Sequence, residues 1–158
     1  MPHRKVLIYD IPEFSLGKKF GILSRSYFAL LSGKLEHLGI KKSFSVLVLI
    51  DKMGEDQCSQ KFIADTLRID KTMMVGVLDE LAEAGFIKRI QNPTDRRQHW
   101  IQLTDKGKKQ MPEIKRTIKQ LNESVLEGLT ASDVTKFYKQ LGTIYKNMQT
   151  ISKLQHLA

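Results

Sequence analysis

Lys71 and Thr72 stand directly behind Asp70, an acid suited to capping a helix, and put an ammonium and a hydroxyl on that helix's first turn. Such side chains bond phosphate oxygens and the edges of bases. Met73 and Gly76 follow on the same helix and complete the turns that would reach into a groove. Further along, Asp95-Arg96-Arg97 ends the polar turn begun by Asn92-Pro93-Thr94. Arginine on a projecting hairpin suits a narrow minor groove. Ser59 and Gln60, and upstream Ser43, stand at the starts of two more helices, where hydroxyls and free amides hold phosphate well. Together these residues point to binding a polyanion, most simply double-stranded DNA.

Catalytic arrangements are missing. His3, His37, His99 and His156 are widely separated and have no close acidic or thiol companions, so no metal-ligand spacing arises. No nucleophile elbow, P-loop or dinucleotide fingerprint is present. The reading is therefore no enzyme, no metal and no cofactor. The single cysteine, Cys58, excludes an intramolecular disulfide framework. It precedes a helix start, which can activate a thiol, but an inert, half-buried thiol is the preferred reading.

The elements that must position the binding residues can be read from periodicity. Ser59 caps a short helix with Phe62, Ile63 and Leu67 on one face. A tight connection at Arg68 and Ile69 leads to the helix capped by Asp70, whose buried face is Met74, Val77, Leu78 and Leu81 and which Gly85 ends. Two short apolar runs follow, Phe86 to Ile90 and Trp100 to Leu103. Helix, turn, helix and hairpin make a winged helix-turn-helix over residues 43–103. Outside it the fold is mainly α. Leu16, Phe20, Leu23, Tyr27, Leu30, Leu31, Leu35 and Leu38 predict one long helix within 14–39, ended near Gly39. Ser43 starts a helix with Phe44, Leu47, Ile50 and Met53 inward. In 104–154, Met111, Ile114, Ile118, Leu121 and Val125 form a helical seam that Pro112 should kink, unless it marks a late start. Thr130 to Asp133 reads as a capping box, and Val134, Phe137, Leu141, Ile144, Met148 and Ile151 form a last seam. Seams of this kind need a partner, and the terminal helices are read as a dimerisation bundle.

The wording of the winged segment resembles the MarR family of bacterial transcriptional regulators. The resemblance rests on the opening Asp70-Lys71-Thr72, the close Leu78-Asp79-Glu80-Leu81 with Gly85-Phe86-Ile87, and the exit Leu103-Thr104-Asp105-Lys106-Gly107. Leu38-Gly39-Ile40 before Phe44 also fits, and Asp95-Arg96-Arg97 is similar to the family's D-x-R wing signature, mapped onto Asp95 and Arg97. The resemblance implies a two-fold homodimer that binds a pseudo-palindromic operator, usually as a repressor. It also implies a small aromatic or lipophilic effector that releases DNA; Arg25, Tyr27 and His37 are possible lining residues. Where relatives often carry a hydroxyl and then an arginine on the groove-facing turn, this chain has Val75 and Gly76. Base readout is then expected to be poor in hydrogen bonds and to rely on thymine methyls and DNA shape.

Charge supports an anionic partner, most simply nucleic acid or a membrane surface, without locating its site. The chain carries 26 basic and 17 acidic side chains, a formal charge of +9. From Ser59 to Leu103 the two signs nearly cancel, and the excess lies in runs such as Lys18-Lys19, Lys41-Lys42, Lys106 to Lys109 and Lys115-Arg116. No apolar run approaches the roughly 18 residues that span a bilayer, and the N-terminus lacks a signal-peptide pattern. A cytoplasmic protein with no membrane partner is expected. The rival reading is a winged-helix protein-interaction module without sequence-specific DNA binding, favoured by Val75, Gly76 and the near-neutral winged segment.

Overall fold

The computed structural model describes residues 15–39, 43–54, 58–92 and 98–155. By its contacts the chain divides into two compact units, Met1–Lys119 and Gln120–Ala158. The first unit opens on α1 (Leu16–Lys34), capped by the Ser15 hydroxyl, which accepts from the Lys18 amide. This helix is shorter than its apolar pattern predicts. The chain tightens into a 3-10 turn over Glu36–Leu38 before Gly39 turns it in the left-handed region, at φ 74°. Side chains three apart eclipse in a 3-10 turn, so the pattern of Leu35 and Leu38 continues although the α-helix has stopped.

Next come α2 (Phe44–Met53), α3 (Gln60–Leu67), α4 (Lys71–Glu83), the strands β1 (Ile87–Gln91) and β2 (His99–Leu103), and α5 (Asp105–Val125). The core of this unit is Leu31, Leu35, Phe44, Leu47, Ile50, Ile63, Met74, Leu78, Leu81, Phe86 and Ile101, all essentially without exposed surface. The sequence seams of α2, α3 and α4 contribute most of it. Met53, Phe62, Leu67 and Val77 are only half-buried.

β1 and β2 pair antiparallel, with Ile87 opposite Leu103 and Gln91 opposite His99. The segment before α3 joins them. The Ile101 amide donates to the Cys58 carbonyl at 2.8 Å, and Ser59 bridges Trp100. The base of the hairpin is thereby fixed to the start of α3, a third pairing that two residues of extended chain are too short to announce by alternation.

α5 starts at Asp105 and runs through Pro112, so the proline does not mark a late start. The second unit holds the end of α5 and the final helix, α6 (Ala131–Gln155). Thr130 and Asp133 form the predicted reciprocal cap: each backbone amide donates to the other's side-chain oxygen at 3.2 Å. On α6, Val134, Leu141 and Ile144 are half-buried, whereas Phe137, Met148 and Ile151 are exposed. No described helix is long and apolar enough to cross a membrane.

Candidate nucleic-acid interface

The turn between α3 and α4 sets how the second helix is presented. Arg68 adopts the left-handed conformation at φ 54°, ψ 41°, and the Ile69 amide returns to the Ala64 carbonyl at 3.0 Å. A left-handed non-glycine residue costs about 1–2 kcal/mol, so packing between α3 and α4 must hold it there. At the far end of α4, Gly85 takes φ 73° and the Phe86 amide reaches back to the Leu81 carbonyl at 2.9 Å. Lys106 reinforces this end: its ammonium donates to the Ala84 carbonyl at 2.6 Å and lies 4.9 Å from the centre of the Phe86 ring.

Asp70 caps α4 as expected. Its carboxylate accepts from the Thr72 amide at 2.8 Å and the Met73 amide at 3.4 Å. Those amide bonds, the Thr72 one foremost, hold the Asp70 carboxyl below its ordinary pKa. The sign follows directly. The folded state prefers the ionised acid, so this cap stabilises fully above the ordinary aspartate range and is lost as pH falls through the lowered folded value. Asp70→Asn should therefore remove part of the acid-side slope in a plot of melting temperature against pH and leave the rest of the profile in place. An unchanged slope would show that the cap carries no charge-dependent stability.

With Asp70 on its first amides, α4 has no vacant anion site at its N-terminus. Lys71, Thr72 and Met73 instead project from its first turn, all exposed, and Gly76 is exposed one turn later. Met73 keeps 67% of its surface and Val75 42%, so neither belongs to this unit's core, whereas Met74 is wholly buried. At the start of α3, the Ser59 hydroxyl accepts from the Phe62 amide at 3.1 Å. The first amides of a helix have no intrahelical partner, and Ser59 and Gln60 flank that end half-exposed. The structure thus groups Lys71, Thr72, Met73 and Gly76 on the exposed side of α4, and Ser59 with Gln60 at the head of α3.

Ser43 departs from this picture. It stands at the N-cap position of α2 without a side-chain capping bond, is 2% exposed, and its hydroxyl meets no partner among the described residues. A side chain enclosed in the core cannot reach a phosphate, and Ser43 leaves the candidate interface. Asp95, Arg96 and Arg97 lie outside the described residues; the strands that bracket them are in place. His99 is exposed on β2.

Arg89 was not singled out by motif. It donates to the Asp79 carboxylate at 2.5 Å, joining β1 to the outer side of α4. The two residues are ten apart in an exposed pair, so only the three-dimensional fold reveals their meeting. Cys58 is wholly buried, and burial pushes its thiol above the ordinary value. The thiol is thus enclosed further than the half-buried one expected. His37 sits on the 3-10 turn rather than on α1 and bonds Glu113 at 2.8 Å.

Residues 41–99 match the MarR family model. Among solved structures, a MarR transcriptional regulator from Methanosarcina mazei Go1 is 26% identical, with a TM-score of 0.79 over 86% of this chain and 97% of its own. A MarR-family regulator from Rhodococcus sp. RHA1 is 28% identical, with a TM-score of 0.69 over 82% and 94%. A MarR-family regulator from Listeria monocytogenes, solved in complex with 26mer DNA, is 23% identical and shares the fold at a TM-score of 0.78 over 85% and 89%. Residues 41–99 thus match a MarR-family module, and the fold of MarR-family regulators is shared along most of the chain's length.

Proposed function

We propose that the chain is a DNA-binding transcriptional regulator, acting as a repressor and binding a pseudo-palindromic operator as a homodimer. The observation that carries this reading is the exposed, doubly capped α4, with Lys71 and Thr72 on its leading turn and a hairpin fixed beside it. A major groove about 12 Å wide admits one such helix, whose leading residues meet base edges. The Listeria monocytogenes neighbour's complex with 26mer DNA supports the same use of the fold. Ser59 and Gln60 are assigned to phosphate, Lys71, Thr72, Met73 and Gly76 to the major groove and its rim, and Asp95, Arg96 and Arg97 to the minor groove.

The test is a salt titration of binding to selected and random duplexes. Arg97→Ala should weaken both and flatten the salt slope by about one charge for each wing engaged. Thr72→Ala removes no charge, so its slope should stay, while the ratio of selected to random binding falls. Arg97→Ala behaving like the parent at every salt concentration would overturn the wing assignment. It would also favour the protein-interaction reading, which the acids Asp79, Glu80 and Glu83 on α4 otherwise support.

The effector is assigned to a cleft of about 1180 Å³ in the first unit, lined by Arg25, Phe28, Ser32, Ser45, Leu67 and Ile69 among others. Its mostly apolar wall suits an aromatic or lipophilic molecule. Leu67 and Ile69 flank the α3–α4 turn, so a ligand there would bear on the presentation of α4. Tyr27 and His37 are not among the lining residues.

A further inference from the structure

The side of α4 turned away from the core has an unusual make-up for a helix assigned to a groove. Lys71 is its only basic residue; Asp79, Glu80 and Glu83 are acidic. The commonest specific contact in the major groove is arginine or lysine on guanine, and nothing beyond the first residue of α4 can make it. What the helix exposes instead is Met73, Val75 and a missing side chain at Gly76.

Among the described residues, nothing packs against Gly76. A Cβ built on it would meet nothing within 4 Å, and its φ is not in the left-handed region. A glycine in a helix interior is destabilising relative to alanine, and here no described residue packs against it in return. Residues three and four apart are surface neighbours on a helix. Gly76 is therefore a shallow notch with Thr72 and Met73 on one side and Asp79 and Glu80 on the other. Met73, 67% exposed, gives the notch an apolar lip.

We propose that this notch reads thymine by its 5-methyl group, with Gly76 allowing the close approach and Met73 covering the methyl. The inference rests on the DNA-binding reading above. Apolar contact with the thymine methyl is an established mode of major-groove discrimination. In this chain the exposed apolar atoms of α4 are its available means.

The experiment starts from a duplex selected by the full-length protein out of a random pool. Each half-site thymine is then replaced singly by deoxyuridine, which removes the methyl and keeps every hydrogen-bonding group. One position per half-site should lose affinity, by about fourfold if the methyl is fully buried. Met73→Ala should bind the parent duplex more weakly and no longer distinguish thymine from deoxyuridine at that position. Gly76→Ala should raise the melting temperature while lowering affinity for the selected duplex, opposite signs that a purely structural glycine would not give. If selection yields a preferred duplex whose affinity survives every deoxyuridine exchange, the thymine inference is wrong and the DNA-binding reading stands. If selection yields no preferred sequence, the DNA-binding reading itself fails.

Discussion

Gly107→Ala should be severely destabilising, although it adds one methyl group to a small residue in the first turn of a helix. A Cβ at Gly107 would lie 2.2 Å from the Phe86 carbonyl oxygen, 3.2 Å from the Phe86 carbonyl carbon and 3.3 Å from Leu103 Cδ2. The first two are backbone atoms and cannot rotate aside. The Phe86 carbonyl is also pinned, because the Thr104 amide donates to it at 3.0 Å. Thr104 is held in turn: its hydroxyl donates to the Gly85 carbonyl at 2.6 Å and accepts from the Gly107 amide at 3.1 Å. Relief of the clash would have to separate the end of α4, the start of β1 and the start of α5 together. The expected loss is about 3 kcal/mol or more, a drop in melting temperature of roughly 6–12 °C for a chain of this size. Gly76→Ala is the matched control, since its new methyl meets open space and should stabilise by about 0.5–1 kcal/mol. Thermal melts of the two variants should move in opposite directions. A Gly107→Ala protein that melts with the parent would mean that α5 does not close on Phe86 this tightly.

The motif Leu103-Thr104-Asp105-Lys106-Gly107 shows how far the sequence could be read. As a string it marked the passage into α5, and Thr104 as a helix start was foreseeable from residue type alone. The reason for glycine at 107 was not. It depends on Phe86, far upstream, whose carbonyl arrives there only when the hairpin closes. The same division runs through the molecule. Caps at Ser59, Asp70 and Thr130 are local, made by bonds spanning two or three residues, and the sequence shows them. The buried faces of α2 and α4 follow from helical period. The Arg89–Asp79 pair, the bridge from Ser59 to Trp100 and the burial of Ser43 are non-local, and periodicity is silent about them. Ser43 is the instructive error. A hydroxyl at a helix start suits phosphate by type, but here the entry to α2 is enclosed. For Met73, residue type alone allows packing or display, and the helix's rotation set by Met74, Leu78 and Leu81 exposes it.

The larger expected effect on function lies at α6. Its seam was recognisable by spacing, yet Met148 and Ile151 remain 58% and 56% exposed in the single chain, and Phe137, Tyr138 and Tyr145 are exposed beside them. A run of large apolar side chains along one helix exceeds what isolated surface residues account for. The proposed homodimer supplies the cover. Because Met148 and Ile151 are already exposed, replacing both by glutamate should cost the folded chain little, since surface substitutions usually change stability by less than about 0.5 kcal/mol. Across a two-fold interface the same pair would place four buried carboxylates together, which desolvation and like-charge repulsion both oppose. The double variant should therefore keep the parent's far-ultraviolet circular dichroism and scatter light as a monomer at micromolar concentration, where the parent is a dimer. Losing the second half-site removes the avidity of paired binding, so affinity for a palindromic duplex should fall by about two to four orders of magnitude. Affinity for an isolated half-site should change little. Two outcomes would count against this assignment: a parent that is itself monomeric, or a double variant that stays dimeric and binds the palindrome as before. The first would leave the α6 seam without the partner proposed for it, and the second would move the interface to α1, whose Leu16, Leu23 and Leu30 are also exposed.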